Sequence, residues 1–226
     1  PASEELVNYL RGDRSREEGV YAGAGGPGLP YRKRESPLGD IVNSAPVMVK
    51  GLVDLNYGKL SLGGADYPAF VAAKKQRVGT LFVGGNDGML HAFKDPKGAA
   101  NEKDGEEVFA YVPAAVHPQL SKLADRAYGT STLFHQNYVD GQLTETDAFV
   151  RAPGASTPSW RNYLLGSLGA GGRAVFALDV TDSPNLNAST IRWELSGDAD
   201  PDLGHMFAPL EAGVLPNGEW VAVFGN

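Results

Sequence analysis

Three short apolar strand pairs, each turned on glycine, constrain this chain more than any other feature. Leu81 to Phe93 reads LFVGGNDGMLHAF, two strand-like runs around Asn-Asp-Gly, the turn chemistry of a tight antiparallel hairpin. Asn162 to Asp182 reads NYLLGSLGAGGRAVFALDVTD, and Leu210 to Asn226 reads LEAGVLPNGEWVAVFGN with Pro-Asn-Gly at its turn. Strand–glycine turn–strand units repeated in this way point to radially arranged sheets, the blades of a β-propeller. The expected fold class is therefore all-β: a partial β-propeller of about three blades, with short helical and irregular insertions. Glycine supports this, at 29 of 226 residues, against a usual share of about 7%.

Between these units the chain is organised as follows. Residues 3–11 read as a short helix, with Ser3 as N-cap, Glu4 and Glu5 at the positive end of the dipole, and Leu6, Tyr9 and Leu10 on one face. Gly12 falls where a left-handed residue would end it. Residues 19–30 are a glycine- and proline-rich loop, so 1–35 form a lead-in and 36–226 carry the blades. Asp40 to Val49 is extended and broken by Pro46. An irregular insertion runs from Leu52 to Gln76, and the first clear blade spans 79–112, with 106–112 as its outer strand. Pro113 to Ala124 suits a short helix. His135 to Gly141 (HQNYVDG) reads as a strand and turn. Trp160 opens the second blade, Ile191 to Leu195 is its outer strand, and Leu203 begins a third.

Three blades do not close a ring, since propellers use about four to eight. The chain thus reads as an excised piece, completed by the remainder of its own propeller or by another chain. With no run of eighteen apolar residues, no segment spans a membrane, and no secretory leader is visible. The absence of cysteine excludes a disulfide scaffold, a thiolate metal site and a cysteine nucleophile. A net charge of −7 argues against phosphate-driven nucleic-acid binding. The one basic cluster, Tyr31-Arg32-Lys33-Arg34, reads as a solvated strand end.

Candidate motifs are few. Gly23 to Gly28 formally fits the dinucleotide G-x-G-x-x-G, but Pro27 and Pro30 forbid the helix that motif needs. No G-x-S-x-G is present, and the four histidines (His91, His117, His135 and His205) are too scattered for a spaced metal site. Asp198, Asp200 and Asp202 form the best cation candidate, yet glycine falls at position seven of the loop and Pro209 stands where a calcium loop needs Glu. An acidic surface turn is the better reading, and the 140–147 stretch is a weaker candidate of the same kind. Arg11-Gly12-Asp13 is the integrin-type tripeptide, set against its plain role as a helix end and its solvated neighbours.

Several strings occur in order: LRGDRS (10–15), SPLGDIVNSAPV (36–47), VGGNDGMLHAF (83–93), AYVPAAV (110–116), YVDG (138–141), WRNYLLGSLGAGGRAVFALDVT (160–181) and GEWVAVFGN (218–226). Together they resemble the C-terminal β-propeller of the PilY/PilC family, proteins of type IV pilus biogenesis found at the pilus tip. The resemblance covers essentially the whole chain. It implies a non-enzymatic, surface-exposed protein of the fimbrium of a Gram-negative bacterium that binds minor pilins and supports pilus extension, adhesion, twitching motility and surface sensing. It also implies a calcium site, in an acidic loop past Asn226 and distinct from Asp198, Asp200 and Asp202. Arg11, Gly12 and Asp13 match a tripeptide proposed to engage integrins in some members, which makes an RGD-dependent host-cell ligand one alternative. The other is a quinoprotein-like enzyme fragment, since blades with Asp-Gly turns and a Trp-bearing outer strand also resemble pyrroloquinoline-quinone propellers.

Overall fold

The computed structural model describes residues 3–20, 30–95, 105–183 and 185–226. The Gly23–Gly28 motif, most of the glycine-rich 19–30 loop and most of the charged link before Glu106 lie outside the described residues.

The first blade is a four-stranded antiparallel meander of β1 (Val47–Val49), β2 (Thr80–Gly84), β3 (Leu90–Lys94) and β4 (Glu107–Tyr111). The second repeats it with β5 (Leu143–Val150), β6 (Ser159–Ser167), β7 (Ala174–Asp179) and β8 (Ile191–Ser196). The third contributes the antiparallel pair β9 (Glu211–Val214) and β10 (Trp220–Val223). The first strands of the blades, β1, β5 and β9, lie next to one another, so the sheets radiate from a common side as propeller blades do. Both complete blades carry a bulge between their third and fourth strands, at Ala92/Phe93 and at Ala177/Leu178, which adds local twist at the same place in each.

Strand alternation decides what packs on what. Phe82, Leu90 and Ala92 of the first blade join Leu164, Phe176 and Leu178 of the second in one core. The opposite face of the second blade, Leu165, Val175 and Ala177, packs on Leu203, Met206 and Leu210. A strand covered on both sides needs no polar face, which is why β7 reads as an unbroken buried run. Gly166 makes the tight fit at the first interface: a Cβ there would stand 2.4 Å from Phe176 Cζ.

Several expectations change. The first blade begins at β1, well before residue 79, because the 52–76 insertion separates β1 from β2. That insertion is also less irregular than expected and holds α2 (Tyr67–Lys74). The His135–Gly141 stretch is not a strand: Tyr138 and Val139 are buried because their amides donate to Asn86 Oδ1 and Gly85 O over the β2–β3 turn. The second blade opens with β5, and Trp160 lies in β6; β5 escapes a pattern search because Thr144, Glu145, Thr146 and Asp147 fill its middle. The basic cluster is not solvated throughout. Arg34 is buried, with Nε donating to Glu17 Oε1 at 2.7 Å and its guanidinium 3.8 Å from the Tyr9 ring centroid. Pro113–Ala124 is helical as expected but of the 3-10 type over Ala114–Ala124, with Pro118 inside it.

The β1–β2 insertion spans all three blades. From the first blade it reaches Trp160 of the second, whose Nε1 donates to Gly63 O at 2.7 Å. Tyr57 then meets Trp220 of the third, ring centroids 5.3 Å apart. Tyr67, Phe70 and Phe149 complete this aromatic cluster around Trp160.

Candidate functional site

Helix α1 (Glu4–Leu10) starts as its sequence dictates, Ser3 Oγ accepting from Leu6 N at 3.2 Å. It ends in a Schellman motif: Gly12 N donates to Tyr9 O and Asp13 N to Asn8 O, with Gly12 at φ +104°. Arg11-Gly12-Asp13 is therefore the helix terminus. Arg11 and Asp13 are solvent-facing, Asp13 Oδ1 accepts from Ser15 N at 2.7 Å, and Asp13 O accepts from the buried Arg34. The hydrogen bonds from Ser15 hold the Asp13 carboxyl below its ordinary pKa.

Between α1 and the face of the first blade turned away from the second lies a groove of about 1290 Å³. Leu6, Leu10, Phe93, Phe109, Val112 and Leu120 give it an apolar lining, and Arg11 and Gly12 sit on its wall. In its floor, His91 bridges two carboxylates, with Nε2 3.0 Å from both Asp87 oxygens and Nδ1 against Glu107 Oε1. Asp87 also accepts from Gly39 N at 2.7 Å and Met89 N at 3.2 Å, so this trio joins the segment before β1, the β2–β3 turn, β3 and β4. Burial pulls the His91 pKa down, but Asp87 and Glu107 outweigh it, leaving the ring more basic than an ordinary histidine.

Asp198, Asp200 and Asp202 follow β8 as a turn closed on itself. Ala199 N and Asp200 N both donate to Ser196 O, and Asp200 Oδ1 accepts from Asp202 N at 3.0 Å. Among the described residues no three His, Asp or Glu side chains converge so as to hold a metal ion. In the 140–147 stretch two carboxylates are committed to protein partners: Asp140 accepts from Asn43 N and Nδ2 at 2.9 and 2.6 Å, and Asp147 from Lys74 Nζ at 2.6 Å. The other histidines with side-chain partners are likewise engaged, His135 Nε2 with Asp40 Oδ1 and His205 Nδ1 with Gly169 O.

Two buried charge centres escaped sequence reasoning, the His91 trio and the Lys74–Asp147 pair with Glu145 beside it. The sequence offered only Glu145 and Asp147 two apart, which share a face once the stretch forms β5. Their cationic partner lies 73 residues away along the chain from Asp147, which no local pattern reveals.

The comparisons with known proteins agree with this architecture. The family described as "PilY1 beta-propeller domain" matches residues 38–226. A "Type IV pilus biogenesis factor PilY1 homolog" of Xylella fastidiosa is 40% identical over 230 residues, covering 98% of this chain and 14% of that protein. The "Type IV pilus biogenesis factor PilY1" of Pseudomonas aeruginosa strain PAK is 39% identical over 224 residues, covering 99% of this chain and 17% of that protein. The crystal structure of the Pseudomonas aeruginosa PilY1 C-terminal domain superposes with a TM-score of 0.55 at 35% identity, over 79% of this chain and 31% of that one. The chain spans about a sixth of the length of these curated relatives. With blades, connectivity and sequence in accord, the chain belongs to the PilY1 β-propeller domain family.

Proposed function

We propose that this domain serves type IV pilus biogenesis as a non-catalytic scaffold, carried at the cell surface as part of the fimbrium and binding minor pilins to support extension, adhesion and twitching motility. The observation that carries the reading is the identity of about 40% over nearly the whole chain with proteins named as type IV pilus biogenesis factors. The architecture supports it: radially packed sheets cross-braced by an insertion that touches every blade make a rigid platform for partners. Among the described residues no helix is long and apolar enough to cross a membrane.

The test is made in the bacterium that encodes the chain. The codons for residues 38–226 are deleted in frame from the chromosomal gene, surface pili are counted, and minor pilins are sought in material captured on the tagged full-length protein. Loss of surface pili, with minor pilins recovered only on the intact protein, is the expected result. Normal piliation of the deletion strain, or tip material free of minor pilins, overturns it.

A further inference from the structure

The insertion between β1 and β2 is fastened to the second blade by a buried polar network. Lys74 Nζ donates to Asp147 Oδ2 at 2.6 Å and to Val53 O at 3.0 Å, and Tyr67 Oη donates to the same Asp147 oxygen at 2.8 Å. Just beyond α2, Arg77 donates to Asn162 Oδ1 at 2.8 Å and to the carbonyls of Val180 and Thr181 at 3.0 and 2.8 Å. Asn162 Nδ2 then faces three acceptors: Glu145 Oε1 at 3.1 Å, Thr146 O at 3.1 Å and Asp147 Oδ1 at 2.9 Å. An amide nitrogen carries two hydrogens, so one acceptor is always underserved. Glu145 is only 9% exposed, and its Oε2 has no hydrogen-bond partner among the described residues. A buried carboxylate with an unpaired oxygen is costly when ionised and much less so when protonated.

We propose that Glu145 is a proton-operated latch: uncharged it lets the β1–β2 insertion stay docked across the blades, and ionised it loosens that docking. The groups around it are Lys74, Arg77 and Tyr67 from the insertion, Asp147 on its own strand, and Asn162 on β6. On the neighbouring first strands, β1 offers only Val47, Met48 and Val49, with Lys50 beyond them committed to Asp95, and β9 contributes the exposed Glu211. Burial above all pushes the Glu145 pKa up, and Asp147 adds to this. Asn162, Lys74 and Arg77 pull it down by less. A carboxyl raised on folding contributes stability that is full below its unfolded pKa, about 4.3. That stability is lost as pH rises through the folded value. Acid therefore tightens the insertion, opposite to the usual effect of buried, ion-paired carboxylates. The device is independent of the pilus reading, because its readouts need only the purified domain.

Hydrogen exchange, corrected for intrinsic rates, is followed for the 52–77 amides in the wild type and in Glu145→Gln between pH 5 and 8. The substituted amide keeps the shape of the carboxyl without its charge, so the variant is expected to be several-fold better protected than the wild type at pH 8, with the difference narrowing as the pH falls. A carbon-13 titration of the Glu145 carboxyl in the wild type gives a second readout that needs no variant, with a midpoint above that of an ordinary glutamate expected. Identical protection at both pH values, a difference independent of pH, or an ordinary or lower midpoint overturns the proposal.

Discussion

Replacing Asp147 with Asn removes one charge from a pair that has no access to water. The Lys74 and Asp147 side chains are 1% and 0% exposed, so neither is rescued by solvent when the other is neutralised. In Asp147→Asn a carbonyl at the Oδ2 position still accepts from both Tyr67 and Lys74, but the Lys74 ammonium loses its counter-charge and the new amide nitrogen faces another donor, Asn162 Nδ2. Breaking a buried pair from one side costs about 3–5 kcal/mol, a large share of a domain's total of roughly 5–15 kcal/mol. At about 2–4 °C per kcal/mol for a chain of this size, the melting temperature should fall by roughly 6–20 °C. Lys74→Met strands the carboxylate instead and should be comparably damaging. The double variant carries no buried charge at either site, so it should be less destabilised than the sum of the singles by more than about 1 kcal/mol. Chemical denaturation of all four proteins at pH 7, with m-values compared, closes the cycle. A single-variant loss under about 1 kcal/mol, or strict additivity, would show that the pair is solvated in solution and refute the reasoning.

Two further predictions follow from the groove. His91 is more basic folded than unfolded, so its stabilisation is full below about pH 6.5 and is lost as pH rises through the folded value. His91→Gln should remove that alkaline loss from a plot of melting temperature against pH, and an unchanged plot would mean the trio does not hold a proton. At the end of α1, Gly12→Ala forces a side chain to φ +104° and should cost about 1 kcal/mol or more, while the exposed Asp13→Ala should stay within about 0.5 kcal/mol. Thermal denaturation of the two variants separates them, and equal effects would contradict the Schellman geometry.

Much of the fold was legible in the chain because hairpins are local. Leu81–Phe93 folds back on Gly88 and Asn162–Asp182 near Gly169, each at positive φ, and the residues that specify each turn sit within it. The same holds for α1, whose Ser3 cap and Gly12 stop are both read from neighbours along the chain. β1 lies in the stretch read as extended, but its place in the first blade was missed because it is three residues long and cut off from its sheet by the 52–76 insertion; β5 was missed because its middle is polar. Arg34 looked like a solvated charge because its partners, Glu17 and Tyr9, come together only through tertiary contact.

The chain by itself thus set the blades, their turns and the family they belong to, since strand alternation and glycine placement act over a few residues. Tertiary structure alone decided where the charges went. Lys74 meets Asp147, Arg77 meets Asn162, and Glu145 is left with an unpaired oxygen, all through contacts made across blades. A side chain's ionisation depends on the water it loses and the charges it gains, and both are determined by neighbours distant in sequence.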